Sequence, residues 1–449
     1  MSDLRAASRA TDHAGPDLVR RALGVLHANS LGRATSPSLR LYPHQWSWDA
    51  ACVAMGYAPH DQERAETELR SLFEGQWQNG MLPHIVFTEG ARYFPGPEFW
   101  QTERSPAAPE RPRTSGIVQP PLHATAAWRV YRHAGDGDRA AAFLEELFPS
   151  LRAWHAYLFR ERTRDGEPLV EIWHPWESGM DNSPVWDEGL AAIGLDLDDV
   201  PAYSRVDIEV ADAAGRPSDE HYDRYAYLVQ LFRSRGYRAE RIREECPFVM
   251  QPVLFNSILV QADRDLAEIA GVVGADPRPF DERANATGAA LEKLWDDARG
   301  VYLDFDLRSG KPVPTWTSAG LAPLYAGVPA RERAERMLET LAATGLEVQG
   351  GWAATSLPLD DPRFDPALYW RGPVWPILNW ILYHGLIRYG SDELAARVRV
   401  AMIGLAHRGG FWEHYDPLTG RGRGGPNFAW TAALVLELMT SDPSNVPTN

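Results

Sequence analysis

The chain has little of three things, and each shortage excludes a class of protein. Only two of its 449 residues are cysteines, Cys52 and Cys246, which are too few for a disulfide framework or a cysteine zinc site. No apolar run approaches the ~18 residues that a membrane span requires. Basic residues number 45 against 61 acidic ones, and the resulting net charge of -16 repels nucleic acids and anionic membranes.

These shortages also predict a location and a narrow set of partners. The polar N-terminal stretch lacks the apolar core of a signal peptide, and isolated cysteines suit a reducing compartment, so we expect a cytoplasmic protein. Neither a nucleic acid nor a membrane is an expected partner, and self-association into a homo-oligomer is left open. The sequence contains no HxxxH or HExxH spacing, and the glycines at 420–425 fall in a predicted hairpin and not in a phosphate-binding loop, so it predicts no metal and no other cofactor.

Helical periodicity is what the sequence has in abundance, because apolar residues recur three and four positions apart. About a dozen helices, a repeated hairpin and the lack of a linker predict a single all-α domain built as a toroid of paired helices. Length alone would suggest roughly three domains. The predicted helices cover about 17–29, 47–58, 61–75, 121–134, 138–159, 219–235, 252–272, 279–297, 317–325, 329–343, 373–389, 392–407 and 429–440.

The domain boundaries follow from the same pattern. Residues 1–16 are predicted to be a flexible N-terminal segment, 17–440 one catalytic domain and 441–449 a C-terminal tail. Two long irregular stretches, near 88–120 and 201–218, interrupt the helices, and ordered loops of this length are often lids over a site. A disordered insertion is the alternative for the first stretch, although Phe94, Phe99 and Trp100 argue for packing there.

Two short segments suggest an active site. GMDNSPVWD and GGFWEHYDPLTGRG place the carboxylates of Asp181 and Glu413 among tryptophan and glycine. Two carboxyl groups on opposite sides of an acetal can divide its hydrolysis, one protonating the leaving oxygen and the other activating a water. Structural alternatives remain, because Asp181 could cap a helix that begins at Pro184 and Glu413 could be a solvated acid on a hairpin.

An internal repeat weighs against the structural alternative for Glu413. Residues 300–311, GVYLDFDLRSGK, align without gaps on residues 410–421, GFWEHYDPLTGR, and both are predicted to form the same hairpin. The first copy has Leu303 where the second has Glu413. The hairpin itself therefore does not need an acid at this position, and Glu413 is predicted to serve chemistry.

Aromatic segments are expected to form a platform for the apolar faces of a sugar. In YPHQWSWDAA, a helix that begins near Trp46 would place Gln45, Trp46 and Asp49 on one face and Trp48 on another. We expect one tryptophan to line a cavity while the other packs, and the alternative is two core tryptophans beside a capping aspartate. YWRGPVWPILNW, from 369 to 380, again places aromatic residues before an apolar helix.

Together the motifs YPHQWSWD, MLPHIVF, SGMDNSPVWD, YWRGPVWP and FWEHYDPLTGRG resemble glycoside hydrolase family 63, and within it the bacterial mannosylglycerate and glucosylglycerate hydrolases. They occur in the family's order between residues 42 and 431. The resemblance implies an (α/α)6 barrel with short β-hairpins and lid loops, which hydrolyses the α-glycosidic bond of a glycosyl-glycerate with inversion. It also implies that Asp181 is the general acid and Glu413 the general base.

The same resemblance implies binding roles for further residues. Arg216 and Tyr222 match positions that read the glycerate carboxylate, and His84 matches a pocket residue. The positions that match sugar-holding residues are Tyr42, Trp46, Trp48, Asp49, Gln119, Tyr369, Trp370 and Trp375.

Physical chemistry agrees with this resemblance but leaves alternatives open. An acidic protein can bind an anionic aglycone only through local positive charge, for which a bidentate arginine is suited. A general acid needs a raised pKa, which a wall of Trp173, Trp176 and Trp186 could supply.

Several alternatives remain at the level of the sequence. They are a trehalase-like or glucoamylase-like hydrolase of neutral α-glucosides, a sugar epimerase, and a non-catalytic glycan-binding toroid. For Arg216 the alternative is a surface ion pair with Asp212 or Asp219. Glucose and mannose are not distinguished.

Overall fold

The computed structural model describes residues 2–210 and 213–440, and the predicted C-terminal tail at 441–449 lies outside them. The helices are α1 (Ser2–Ala28), α2 (Ser47–Tyr57), α3 (Gln62–Phe73), α4 (Pro97–Trp100), α5 (His123–His133), α6 (Gly137–Glu161), α7 (Asp187–Ala191), α8 (Asp207–Val210), α9 (Asp219–Ser234), α10 (Ala239–Glu245), α11 (Val253–Val272), α12 (Arg278–Leu291), α13 (Arg331–Thr344), α14 (Pro376–Arg388), α15 (Asp392–Gly409) and α16 (Ala429–Thr440).

The strands are short and pair antiparallel in five small sheets among the described residues. They are β1 (Gln45–Trp46), β2 (Ile85–Val86), β3 (Met250–Gln251), β4 (Trp295–Asp296), β5 (Val301–Tyr302), β6 (Phe305–Asp306), β7 (Lys311–Pro312), β8 (Gly345–Val348), β9 (Gly351–Ala354), β10 (Trp412–Tyr415) and β11 (Gly422–Pro426).

Six inner elements contact one another in a closed ring. In order they are α2, α5, α11, a 3₁₀ helix at Ser318–Leu324, α14 and α16, and α16 returns to contact α2. The outer helices α1, α3, α6, α12, α13 and α15 each contact one or more inner elements. Outer and inner elements alternate along the chain, and the architecture is therefore an (α/α)6 barrel, which confirms the predicted fold class.

Burial explains why each helix takes an inner or an outer place. Every residue of α2 is buried, as is α16 from 429 to 438, so these helices are covered on all sides. The outer helix α3 instead buries one stripe that includes Ala65, Leu69 and Leu72, which recur at helical spacing. Two concentric layers follow from these two patterns.

The predicted helices agree with the structure apart from three differences. α1 begins at Ser2 and continues through Pro16, so it extends well before residue 17, and the flexibility of 1–16 stays a prediction. α12 ends at Leu291, because the backbone at 295–296 pairs with 301–302 in a hairpin. The helix predicted at 317–325 is a 3₁₀ helix that contains Pro323, a residue that cannot donate a helical hydrogen bond.

The C-terminal half of α16 is tied to two other inner helices by a buried charge. Glu437 of α16 pairs with Arg129 of α5, and its Oε2 accepts a 2.7 Å hydrogen bond from Trp380 Nε1 of α14. Burial alone would raise the pKa of the Glu437 carboxyl, but Arg129 and His384 hold that pKa below its usual value. This end of the barrel is sealed by structural contacts.

Within the described ranges, no helix combines the length and the apolar character that crossing a membrane would require.

Candidate active site

A cavity lies at the N-terminal ends of α2 and α16, beside the segments that precede α5 and α14, and holds about 620 Å³ of empty space, including the part that opens to solvent. This size is in the usual range for small-molecule sites. Every predicted site residue except Trp375 lines it: Tyr42, Trp46, Trp48, Asp49, His84, Gln119, Asp181, Arg216, Tyr222, Tyr369, Trp370 and Glu413. Residues 371 positions apart in the chain, Tyr42 and Glu413, meet here through a hydrogen bond.

Glu413 is held on β10 by three donors. Its Oε1 accepts hydrogen bonds from the hydroxyls of Tyr42 at 3.0 Å and Tyr369 at 2.7 Å, and its Oε2 accepts one from the Gly425 amide at 3.1 Å. Burial raises the pKa of the Glu413 carboxyl, while the charge of Arg216 and the three donors oppose that rise. The solvated-acid alternative is wrong, since Glu413 is only 1% exposed.

The glycine-rich sequence of β11 has a local reason at Gly424. Its φ of 70° lies in the left-handed region, and a Cβ at this position would overlap Oε2 of Glu413. Only glycine therefore lets the carboxylate keep its place against the hairpin.

Asp181 faces the same cavity in a different environment. The residue is half-buried because it borders the open space, and its main-chain oxygen accepts a 2.8 Å hydrogen bond from the Tyr225 hydroxyl. Burial raises the pKa of the Asp181 carboxyl to about 7, Arg216 opposes this rise and Glu413 adds to it. No other residue among those described donates a hydrogen bond to this carboxyl. Ser183, and not Asp181, occupies the position that caps the 3₁₀ helix at Pro184–Trp186.

The predicted wall of three tryptophans beside Asp181 is wrong for two of them. Trp176 lines the cavity, but Trp173 lies behind it, with the Arg162 guanidinium 3.7 Å above its ring. Trp186 instead donates from Nε1 to the Met180 main-chain oxygen at 2.8 Å. Trp173 and Trp186 therefore pack against the Asp181 loop without lining the cavity.

The loop that carries Asp181 is anchored by the buried carboxylate of Glu177. This carboxylate accepts two hydrogen bonds from Arg162, at 2.6 and 3.0 Å, in a bidentate pair. It also accepts main-chain hydrogen bonds from Trp173 at 2.7 Å and Val118 at 3.2 Å. The Asp181 loop and the end of the irregular stretch 88–120 are thereby fixed to each other.

The start of α2 differs from the prediction. The helix begins at Ser47, so Trp46 lies in β1 and Trp48 in the first helical turn, and both border the cavity. Gln45 does not, because its Nε2 donates to Glu68. Asp49 adds a third carboxyl group, and burial together with Glu413 and Asp181 raises its pKa well above its usual value.

Trp370 and Trp375 stack with parallel planes at a centroid distance of 3.5 Å. Trp370 lines the cavity in an uncommon left-handed backbone conformation, with φ of 60°. Trp375 is fully buried behind it, so the structure does not bring this predicted binding residue to the cavity.

Arg216 is buried in the cavity wall, and the predicted surface alternative is wrong. Its Nε donates to Asp207 Oδ2 and its Nη1 to the Tyr42 hydroxyl, both at 3.0 Å. Asp219 pairs with Arg205 instead, and Asp212 lies outside the described residues. The Nη2 of Arg216 has no acceptor among the described residues, and it is the part of the guanidinium that remains available to a ligand.

Both irregular stretches reach the cavity and meet each other. Tyr93 and Pro95 of the first stretch line it, and Phe94 stacks on Tyr203 of the second at 5.2 Å. The first stretch packs and contains α4, in keeping with the prediction for its aromatic residues. Sequence reasoning missed Tyr93 and Pro95 because a proline-rich stretch has no periodicity. The other lining residues it did not select are Pro37, Gly179, Phe428 and Trp430.

No group of three or more histidine, cysteine, aspartate or glutamate side chains among residues 2–210 and 213–440 is placed to hold a metal ion.

Known proteins resemble this chain over nearly its full length. Residues 42–431 match the mannosylglycerate hydrolase MGH1-like glycoside hydrolase domain. The chain is 48% identical to the mannosylglycerate hydrolase of Rubrobacter radiotolerans, over 95% of this chain and 98% of that one. It is 38% identical to the glucosylglycerate hydrolase of Mycolicibacterium hassiacum, over 94% and 97%.

A solved structure extends the likeness to three dimensions. The crystal structure of the GH63 mannosylglycerate hydrolase from Thermus thermophilus, in complex with Tris and D-glycerate, superposes with a TM-score of 0.88 at 42% identity, covering 94% of this chain and 99% of that one. With these matches the predicted family is confirmed: the chain is a glycoside hydrolase that belongs to the MGH1-like domain family, within glycoside hydrolase family 63.

Proposed function

We propose that this enzyme hydrolyses a glycosyl-glycerate to a free hexose and glycerate with inversion, using Asp181 as general acid and Glu413 as general base. The observation that carries the proposal is that two carboxyl groups share one cavity with a buried arginine, and that three donors contact Glu413 while no other described residue donates to Asp181. Each part of the proposal rests on a separate contact.

The division of labour follows from where the proton is favoured. With a pKa of about 7, a large fraction of Asp181 still carries its proton at neutral pH and can donate it to the glycosidic oxygen. Glu413 accepts three hydrogen bonds that favour its ionised form, so it can take a proton from an attacking water. If Glu413 were instead the protonated acid, its three hydrogen-bond donors would face a neutral group and not the ionised form that they favour.

The glycerate carboxylate is assigned to Arg216, with Tyr222 beside it. The Nη2 of this buried arginine, which no described residue engages, offers a charge-assisted hydrogen bond in a protein that otherwise repels anions. The D-glycerate bound by the Thermus thermophilus relative supports this choice of aglycone.

A side-by-side assay of kcat/KM on glucosylglycerate, mannosylglycerate and trehalose tests the substrate class. We expect one or both glycerate conjugates to be hydrolysed at least about tenfold better than trehalose. Faster hydrolysis of trehalose would replace this proposal with the trehalase-like alternative, and binding without turnover would favour the glycan-binding toroid. The same assay decides between glucose and mannose.

The anomer released first tests the role of Glu413. Proton NMR of the early product should show the β-hexose from an α-linked substrate, because water attacks the face opposite the leaving group. Initial release of the α anomer would mean a covalent intermediate, with Glu413 as nucleophile.

Replacing Arg216 by alanine tests the reading of the carboxylate. On a glycosyl-glycerate the loss should correspond to about 2–5 kcal/mol, because the substrate carboxylate is left buried and unpaired. The neutral glycosyl-glycerol analogue should lose far less. The exposed Arg421, on the catalytic hairpin, provides a matched control that should change neither rate. Equal losses on both substrates for Arg216→Ala would remove the assignment.

Location and boundaries remain part of the proposal. We infer a cytoplasmic enzyme, supported by Cys52 and Cys246, which are both buried and unbridged. The domain is proposed to end near residue 440 and to close its site with the stretches at 88–120 and 201–218.

A further inference from the structure

His84 sits in the cavity wall, enclosed by aromatic rings. Its ring contacts Trp46 edge to face at 5.0 Å and Trp100 at 5.6 Å, and Trp176 lies parallel to it at 6.5 Å. The residue is 1% exposed, and burial lowers the pKa of its imidazole well below the usual value. The ring is therefore neutral at physiological pH, and one of its two nitrogens carries a hydrogen while the other accepts.

The Ser115 hydroxyl decides which nitrogen accepts. Ser115 Oγ lies 2.7 Å from His84 Nδ1, and it also accepts a 3.0 Å hydrogen bond from the Ile85 amide. Ser115 is completely buried, and His84 Nδ1 is the one acceptor within reach of its hydrogen among the described residues. A hydrogen on Nδ1 would leave the Ser115 hydroxyl hydrogen buried without a partner, which is unfavourable. Nδ1 therefore accepts.

The remaining nitrogen, Nε2, has no partner among the described residues, although His84 lines the cavity. We propose that Ser115 is a positioning residue that fixes the hydrogen of His84 on Nε2, so that His84 always presents a donor to an oxygen of the bound glycosyl-glycerate. This inference rests on the proposed function for its ligand, but the position of the hydrogen does not.

Nitrogen NMR of the full-length enzyme with ¹⁵N-labelled histidine rings tests which nitrogen of His84 carries the hydrogen. In the wild type, His84 should show a protonated Nε2 and an unprotonated Nδ1, and its signals are identified by their loss in His84→Gln. A protonated Nδ1 overturns the inference, whatever the enzyme's substrate proves to be. In Ser115→Ala, the His84 signals should move toward a mixture of the two neutral forms.

Kinetic measurements test whether the Nε2 donor of His84 contributes to substrate binding. Ser115→Ala should raise KM for the glycosyl-glycerate about tenfold and leave kcat within about twofold, because a donor used equally in the ground and transition states affects binding alone. Ser115→Thr, which keeps the hydroxyl, should restore both the NMR pattern and KM. A loss of kcat with unchanged KM, or failure of threonine to restore a properly folded variant, overturns the positioning role.

The two proposals can fail separately. If the enzyme does not act on glycosyl-glycerates, the proposed function fails while the NMR measurement still decides the tautomer of His84. If it does act on them and Nδ1 carries the hydrogen, the function stands and this inference is wrong.

Discussion

Two hairpins of this enzyme have the same turn but carry different side chains at one aligned position. In the first, Phe305 pairs with Pro312, and in the second Tyr415 pairs with Gly422, which is the equivalent register. The aspartate at the start of each turn, Asp306 or Asp416, accepts main-chain hydrogen bonds in the same way through its carbonyl and carboxylate oxygens. The predicted repeat is confirmed.

The difference between the hairpins lies at one aligned position. Leu303 packs in the hydrophobic core with 4% of its surface exposed, whereas Glu413 faces the cavity among three hydrogen-bond donors. Each hairpin leads into an inner element of the barrel, the 3₁₀ helix at Ser318–Leu324 and α16 respectively. The turn therefore forms with or without the acid, and the donors around Glu413 stabilise the acid where it is present.

Exchanging the acid should have the largest effect. Glu413→Gln should lower turnover by at least ~10²–10⁴-fold, because it removes the proposed general base. Glu413→Leu, which borrows the residue of the first hairpin, should be equally inactive. Both variants should unfold near the wild-type temperature, measured by circular dichroism. Near-normal turnover of either one would contradict the role of Glu413.

The reciprocal change should act on stability. Leu303→Glu places a carboxylate in the core without the donors that Glu413 has, and an unpaired buried charge costs about 3–5 kcal/mol. Denaturant unfolding should show this loss, while turnover per folded molecule stays near the wild-type value because Leu303 does not line the cavity. A fully stable Leu303→Glu enzyme would mean that the donors around Glu413 matter little.

A smaller effect is expected at Gly424. The added methyl group of Gly424→Ala must displace the Glu413 carboxylate, and misplacing a catalytic group by about 1 Å can cost up to ~10²-fold in rate. We expect kcat to fall by about 10–100-fold. Alanine in this left-handed conformation is also strained, so kcat should be compared at equal folded fraction. Unchanged kcat would show that the proposed base, Glu413, tolerates displacement.

The smallest effect should come from the first hairpin's own turn. Gly310 has the same φ of 69° as Gly420, and a Cβ at Gly310 meets nothing within 4 Å. Gly310→Ala should therefore cost only the left-handed strain, about 1–2 kcal/mol of unfolding free energy, and leave kcat/KM unchanged. A drop in kcat/KM would show that this hairpin, too, contributes to the site.

The pH dependence of kcat/KM tests the assignment of Asp181 as the acid. Because the pKa of Asp181 is raised to about 7, its acid form and hence kcat/KM should decline as the pH rises through about 7. A rate that stays constant up to about pH 9 would contradict the assignment of Asp181 as the acid.

Sequence patterns predicted a toroid of paired helices and singled out Asp181 and Glu413 because both depend on local signals, whereas the (α/α)6 barrel and most other cavity residues were implied by the family resemblance. Helical periodicity is a property of neighbouring residues, and the repeat isolated Glu413 without any structure. The direction of single side chains was harder to predict. Trp48 reaches the cavity because β1 delays the helix to Ser47, and Trp375 is kept from it by one stacked ring. Tyr93 comes from a stretch whose path only tertiary contacts define.

The Tyr42 hydroxyl connects Arg216 to Glu413, since it accepts from the guanidinium and donates to the carboxylate. A ligand that draws Arg216 toward its own carboxylate must alter the polarisation of this hydroxyl, and through it the basicity of Glu413. Substrate selection and the rate of reaction would then both depend on the hydroxyl oxygen of Tyr42. We therefore expect substrates that lack the carboxylate to react more slowly as well as to bind more weakly.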